Sequence, residues 1–129
     1  MWIGIAFGGA VGTIARYGLG GLAQRYSAFF PYGTLTINVI GSLVLGFLVR
    51  YLLATPASPE LRAALTIGFC GGFTTFSTFS YEAAALIESG SLGRALIYMM
   101  ASVTLSLAAT FTGFAIARAV LAPLTLGRM

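Results

Sequence analysis

Four long apolar runs, each parted from the next by a few turn-forming residues, account for nearly the whole chain. They cover about Trp2 to Leu22, Tyr32 to Leu53, Leu61 to Leu86 and Leu92 to Leu121. A helix that crosses a hydrocarbon core about 30 Å thick needs about 20 residues, and every run has that length. None shows the period-two alternation of a membrane barrel. The expectation is an all-α integral membrane protein, a single transmembrane domain over residues 1–129 with helices at 2–22, 32–53, 61–86 and 92–121. Charge agrees, since 8% of residues are charged where soluble domains carry about 25%.

Turn chemistry bounds the runs. Pro31 suits the first turn of the second helix. Ser58 is a candidate cap, with Pro59 and Glu60 in the turn that follows, and Gly90 is a natural stop for the third helix. The first run has no basic stretch before it and Arg16 interrupts it, so it reads as a retained helix rather than a cleaved signal. No stretch is left for a soluble domain.

The residues that are missing narrow the chemistry. All seven basic residues are Arg, and the three acids are Glu60, Glu82 and Glu88, none with an obvious partner for acid–base work. Glu82 reads either as a gating or mouth residue or as an end-of-helix residue paired with an arginine. Cys70 is the one cysteine, which excludes an intrachain disulfide and a cysteine-based metal cluster. An enzyme is not expected. The arginines are scattered, a pattern that suits lipid headgroups at helix ends rather than nucleic acid.

With four crossings, Arg50, Arg62, Arg118 and Arg128 share one side, against Arg16, Arg25 and Arg94 on the other, 4 to 3. Orientation follows an Arg/Lys excess on the cytoplasmic side. So slight a bias fits a chain that inserts both ways, though two misplaced helix ends would produce it too. Small residues recur at helix spacing, with Gly4, Gly8 and Gly12 on one face, Gly41 and Gly46 in the second helix, and Gly68, Gly71 and Gly72 in the third. Such faces let membrane helices approach closely. Four short helices leave little room for a conduit in one copy, so a dimer is the expected working unit.

Two polar features inside the apolar runs need a purpose. Between Gly71 and Ser80 lie five hydroxyl residues, and Phe69, Phe73, Phe76 and Phe79 are interleaved with them. Glycine pairs and Ser/Thr weaken a helix, so the third helix is expected to break near Gly71 to Thr75. Open backbone at membrane depth survives only when buried or facing a watery cavity, and its carbonyls can hold a cation. The alternative is a kinked helix whose hydroxyls bond back to their own backbone. The second feature is a stripe of Ser102, Ser106 and Thr110 on one face of the fourth helix, with Thr34 and Asn38 four apart in the second. These groups either join helices or line a path for an anion. The edges of Phe76 and Phe79 are weakly positive and suit a small anion in the same path.

The run Gly68-Phe-Cys-Gly-Gly-Phe-Thr-Thr-Phe-Ser-Thr-Phe-Ser80 resembles the signature of the fluoride channels called CrcB or Fluc. The likeness extends in order over the chain, through Gly8 to Gly12, Arg16-Tyr17, Pro31 to Asn38, Gly41 and the Ser102/Ser106/Thr110 stripe. It implies an antiparallel homodimer of dual topology in the inner membrane, exporting fluoride passively through two pores. It also implies a sodium ion at the dimer centre, held by the backbone carbonyls of Gly71 and Thr74. Fluoride would meet Asn38, Phe76 and Phe79, with Ser77 and Thr78 close by. Thr34, Tyr98, Ser102, Ser106 and Thr110 would form a polar track, and Arg16 would sit at a mouth and attract anions. Two rival readings are a small multidrug-type transporter and a structural membrane subunit. The first needs an acid in a membrane helix, and the first helix has none. The second leaves Asn38 and the Thr/Phe cluster without a purpose.

Overall fold

In an apolar surrounding each backbone N–H and C=O must find its partner within the protein, and a helix does so locally. The computed structural model describes residues 1–25 and 29–126, and helix is the only regular structure among them. In chain order these are α1 (Trp2–Gln24), α2 (Tyr32–Ala54), α3 (Pro59–Ala63), a π-helical segment (Ala64–Cys70), α4 (Gly71–Phe73), α5 (Phe76–Glu88) and α6 (Leu92–Leu126). Arg128, counted above for orientation, lies outside the described residues, as does the middle of the turn after Arg25.

Two helices are long and apolar enough to cross a membrane by length and composition, 23 residues over Tyr32–Ala54 and 32 residues over Leu92–Pro123. The surface agrees. Trp2, Ile3, Phe7, Ile14, Ile97, Met100 and Phe111 are all exposed, while the buried core is small and includes Ile37, Phe73, Ala95, Tyr98 and Ala117. Apolar groups displayed on this scale mark a surface for lipid or for another protein. Both features are compatible with a membrane protein.

Local chemistry sets the ends. Ser58 Oγ accepts from the Leu61 amide at 3.2 Å, and Pro59 opens α3. Pro31 sits one place earlier than expected, as the cap of α2 rather than inside its first turn. Gly90 takes φ 77°, a conformation costly for any side chain, and the Ser91 amide closes back on the Leu86 carbonyl at 2.9 Å. Helix α6 runs on through Pro123 to Leu126, past the expected end at 121.

The path from Pro59 to Glu88 departs from a regular α-helix twice. The first departure, the π-helical turn at Ala64–Cys70, carries no mark in the sequence. The second is at Thr74 (φ −83°, ψ 160°) and Thr75 (φ −152°, ψ 113°), both extended. Gly71 is still helical at φ −65°, ψ −36°. The glycines serve contact instead. A Cβ on Gly8 would strike the Ala64 carbonyl, one on Gly12 the Phe69 carbonyl, one on Gly68 the Ile5 carbonyl at 2.7 Å, and one on Gly72 the Gly9 carbonyl. The Gly4/Gly8/Gly12 face is thus spent inside the chain, holding α1 against α3 through α4, and is no argument for a second copy. Gly46 and Gly113 do the same between α2 and α6, against the backbones of Thr110 and Leu43.

Candidate functional site

The two extended residues stay in place because their backbone groups find substitutes for the helix. Thr74 is tied to the Cys70 carbonyl twice, by its amide at 3.0 Å and its hydroxyl at 2.9 Å. Its own carbonyl accepts from Arg16 Nη1 at 3.2 Å. The Thr75 amide donates to Asn38 Oδ1 at 2.8 Å, and the Thr75 carbonyl accepts from Asn38 Nδ2 at 3.1 Å. One amide side chain therefore pairs both backbone groups of an extended residue, as a neighbouring strand would. In an unbroken helix the Thr75 amide would bond the Gly71 carbonyl; here it is turned to Asn38. Thr75 also caps α5, its hydroxyl oxygen accepting from the Thr78 amide at 3.3 Å.

Two cavities meet at Thr75. The first, about 370 Å³, is lined by Asn38 and Ser42 of α2, by Thr75, Phe76 and Phe79 at the start of α5, and by Ser102, Ser106 and Thr110 of α6. No charged side chain lines it. The Phe76 and Phe79 rings lie 5.5 Å apart at 41°, and Phe79 leans on Tyr98 at 5.3 Å. The buried Ser102 hydroxyl makes no hydrogen bond of good geometry among the described residues. Thr110, by contrast, spends its hydroxyl on the Ser106 carbonyl at 3.0 Å. The N-terminus of α5 opens at Phe76 beside this cavity, and a helix N-terminus carries a partial positive charge. The lining is uncharged and carries amide and hydroxyl groups.

The second cavity, about 390 Å³, is lined by Arg16, Thr34, Thr78 and Glu82, among others. Both carboxylate oxygens of Glu82 accept from hydroxyls, Oε1 from Thr34 at 2.9 Å and Oε2 from Tyr98 at 2.7 Å. Those donors replace the expected arginine, and Glu82 lies inside α5 rather than at its end.

Residues 3–114 match the family of CrcB-like proteins, described as camphor resistance (CrcB). The chain belongs to the CrcB family. Relatives include proteins named fluoride-specific ion channel FluC. One from Geobacter metallireducens is 48% identical over 118 residues, covering 90% of this chain and 95% of its own. One from Thermus thermophilus is 45% identical over 111 residues, covering 85% and 89%. A third, from Geobacter sulfurreducens, is 49% identical over 118 residues, covering 90% and 95%.

In this CrcB-family chain the residues singled out from sequence divide between the two cavities. Asn38, Phe76, Phe79, Ser102, Ser106 and Thr110 line the first, together with Thr74. Thr34, Thr78 and Arg16 line the second. Ser77 and Tyr98 are on neither wall, and Tyr98 is fully buried with its hydroxyl on Glu82. Gly71 sits apart, with open space where its side chain would be. Sequence reasoning passed over Thr75, which borders both cavities. Its signal was available: a threonine just before the helix that starts at Phe76 is a capping residue.

Proposed function

We propose that this chain is a fluoride channel that lets fluoride leave the cytoplasm passively, and not an enzyme. The observation that carries the reading is the uncharged cavity between α2, α5 and α6, which Asn38, Phe76, Phe79, Ser102, Ser106 and Thr110 line together. The relatives named as fluoride-specific ion channels support it.

A small hard anion holds water tightly, so a conduit must replace that water with donors while binding weakly enough to release the ion. Ring edges, a hydroxyl and the first amides of α5 supply partial positive charge of this kind. A buried arginine would bind the anion too strongly for it to leave. The positive Arg16 belongs instead to the second cavity, which it shares with Glu82.

In this reading the working unit is an antiparallel homodimer of dual topology, in the inner membrane, each chain crossing four times and surrounded by lipid. Phe76 is 78% exposed in a single chain, which suits a ring completed by a second copy, and two copies give two pores. A sodium ion at the dimer centre fits the donor set. The turning of the Thr75 amide to Asn38 releases the Gly71 carbonyl from its helical partner, and a carbonyl such as that of Thr74 has a second lone pair beyond the one Arg16 uses. Gly71 and Thr74 would hold the ion through oxygen alone, which suits a hard cation, and it would tie two copies together.

The test is anion efflux from liposomes holding the purified protein, with fluoride and chloride measured separately. Fluoride efflux that is absent for chloride and lost in Phe76→Ile is the expected result. A well-folded protein that passes no fluoride overturns the reading.

A further inference from the structure

The wall of α2 that faces the two extended residues carries Asn38 and, three residues on and so on the same face, Gly41. A Cβ built on Gly41 would overlap the Thr74 methyl group Cγ2 and lie 3.1 Å from the Phe73 ring. The Phe73 ring would have to give by only a few tenths of an ångström, whereas the Thr74 methyl would have to move outright. The Thr74 hydroxyl is held by the Cys70 carbonyl at 2.9 Å, which sets the direction of the methyl group on a stiff β-branched side chain. Phe73 is buried at 3% exposure and stacked on Phe69 at 5.8 Å.

We infer that Gly41 is a positioning residue for conduction, a notch on α2 that receives the Thr74 methyl so that Thr74 and Thr75 hold their extended course. The inference rests on the channel reading for its functional consequence, and on packing alone for its structural one. Asn38 clamps the backbone of Thr75 and the notch seats the side chain of Thr74, one residue earlier. Filling the notch drives Thr74 away from α2. That movement strains the Asn38–Thr75 pair and shifts the Thr74 carbonyl and the start of α5, where Phe76 stands.

The test is a double-mutant cycle of Gly41→Ala and Thr74→Ser, because serine lacks the methyl that the new Cβ would meet. Fluoride efflux is read per folded protein, and amide hydrogen exchange at Thr75 is read against amides of α2 and α6. In the wild-type background Gly41→Ala is expected to slow efflux and speed Thr75 exchange by about tenfold, the scale on which overpacking acts. In the Thr74→Ser background the same change is expected to act less than about threefold, since the methyl clash is gone. Should Gly41→Ala fail to fold, the double variant is expected to fold, and its failure would overturn the notch. Equal effects in both backgrounds overturn it too, as does a Gly41→Ala protein that exchanges and conducts like wild type. If the wild type passes no fluoride, the channel reading falls while the exchange cycle still decides the notch.

Discussion

Whether a hydroxyl in the first cavity stabilises the fold or serves a passing ion depends on what it is already bonded to. Thr110, Thr104 and Thr112 return their hydroxyls to carbonyls four residues back, at 3.0, 2.7 and 2.8 Å, the usual habit of threonine in a helix. Ser102 is buried on the cavity wall near the Tyr98 hydroxyl, and makes no hydrogen bond of good geometry among the described residues. Deleting an unpartnered buried hydroxyl removes a desolvation cost of about 1–3 kcal/mol rather than a bond. Ser102→Ala is therefore expected to melt no lower than wild type in thermal unfolding, while fluoride efflux slows. A lower melting temperature with unchanged efflux would make Ser102 a structural residue. From sequence, Ser102, Ser106 and Thr110 form one stripe of equals; only their partners tell them apart.

Helices in this chain meet through glycine, and the contacts are backbone on backbone. A Cβ on Gly72 would overlap the Gly9 carbonyl and come within 3.0 Å of its Cα, neither of which can rotate aside. Gly72→Ala is expected to cost about 1–3 kcal/mol, seen as a lowered melting temperature or loss of a monodisperse species in detergent. Gly18, in the interior of α1, has open space around its missing side chain. Alanine favours a helix over glycine by about 1 kcal/mol, so Gly18→Ala is expected to melt at or above the wild type. Similar gains at both positions would mean that helix propensity, not contact, sets the outcome. Glycine spacing was visible in the sequence, but not its use. The stripe on α1 looked equally suited to another copy, and the structure spends it on the segment from Ala64 to Phe73.

At the scale of the whole molecule, the outer surface displays large apolar side chains and the interior is thin, which suits a protein that works as more than one copy. Dual insertion has a direct test. Cys70 is buried at 1% exposure and is expected to stay silent toward a thiol reagent that cannot cross the membrane. A cysteine in place of the exposed Ser89, in the turn after α5, then reports which side that turn occupies. With no strong Arg bias to orient the chain, Ser89→Cys is expected to label from both faces of sealed vesicles in roughly equal amounts. Labelling from one face alone would rule out dual topology.

By itself the sequence determined the all-helical, apolar character of the chain, the capping at Ser58 and Gly90, and the likeness to CrcB proteins. Each is read from neighbours in the chain: run length, cap and turn chemistry, a motif in order. Only the tertiary structure decided that Asn38 pairs with the backbone of Thr75, that Glu82 takes its hydrogen bonds from Thr34 and Tyr98, and that Gly41 receives Thr74. Those partners stand 16 to 48 residues apart in the chain, and no local pattern encodes which of several polar groups will meet across packed helices. The π-helical turn at Ala64–Cys70 belongs with them. Its residues have no composition that asks for a wider turn, and it lies where Gly8, Gly12, Gly68 and Gly72 bring two backbones into contact.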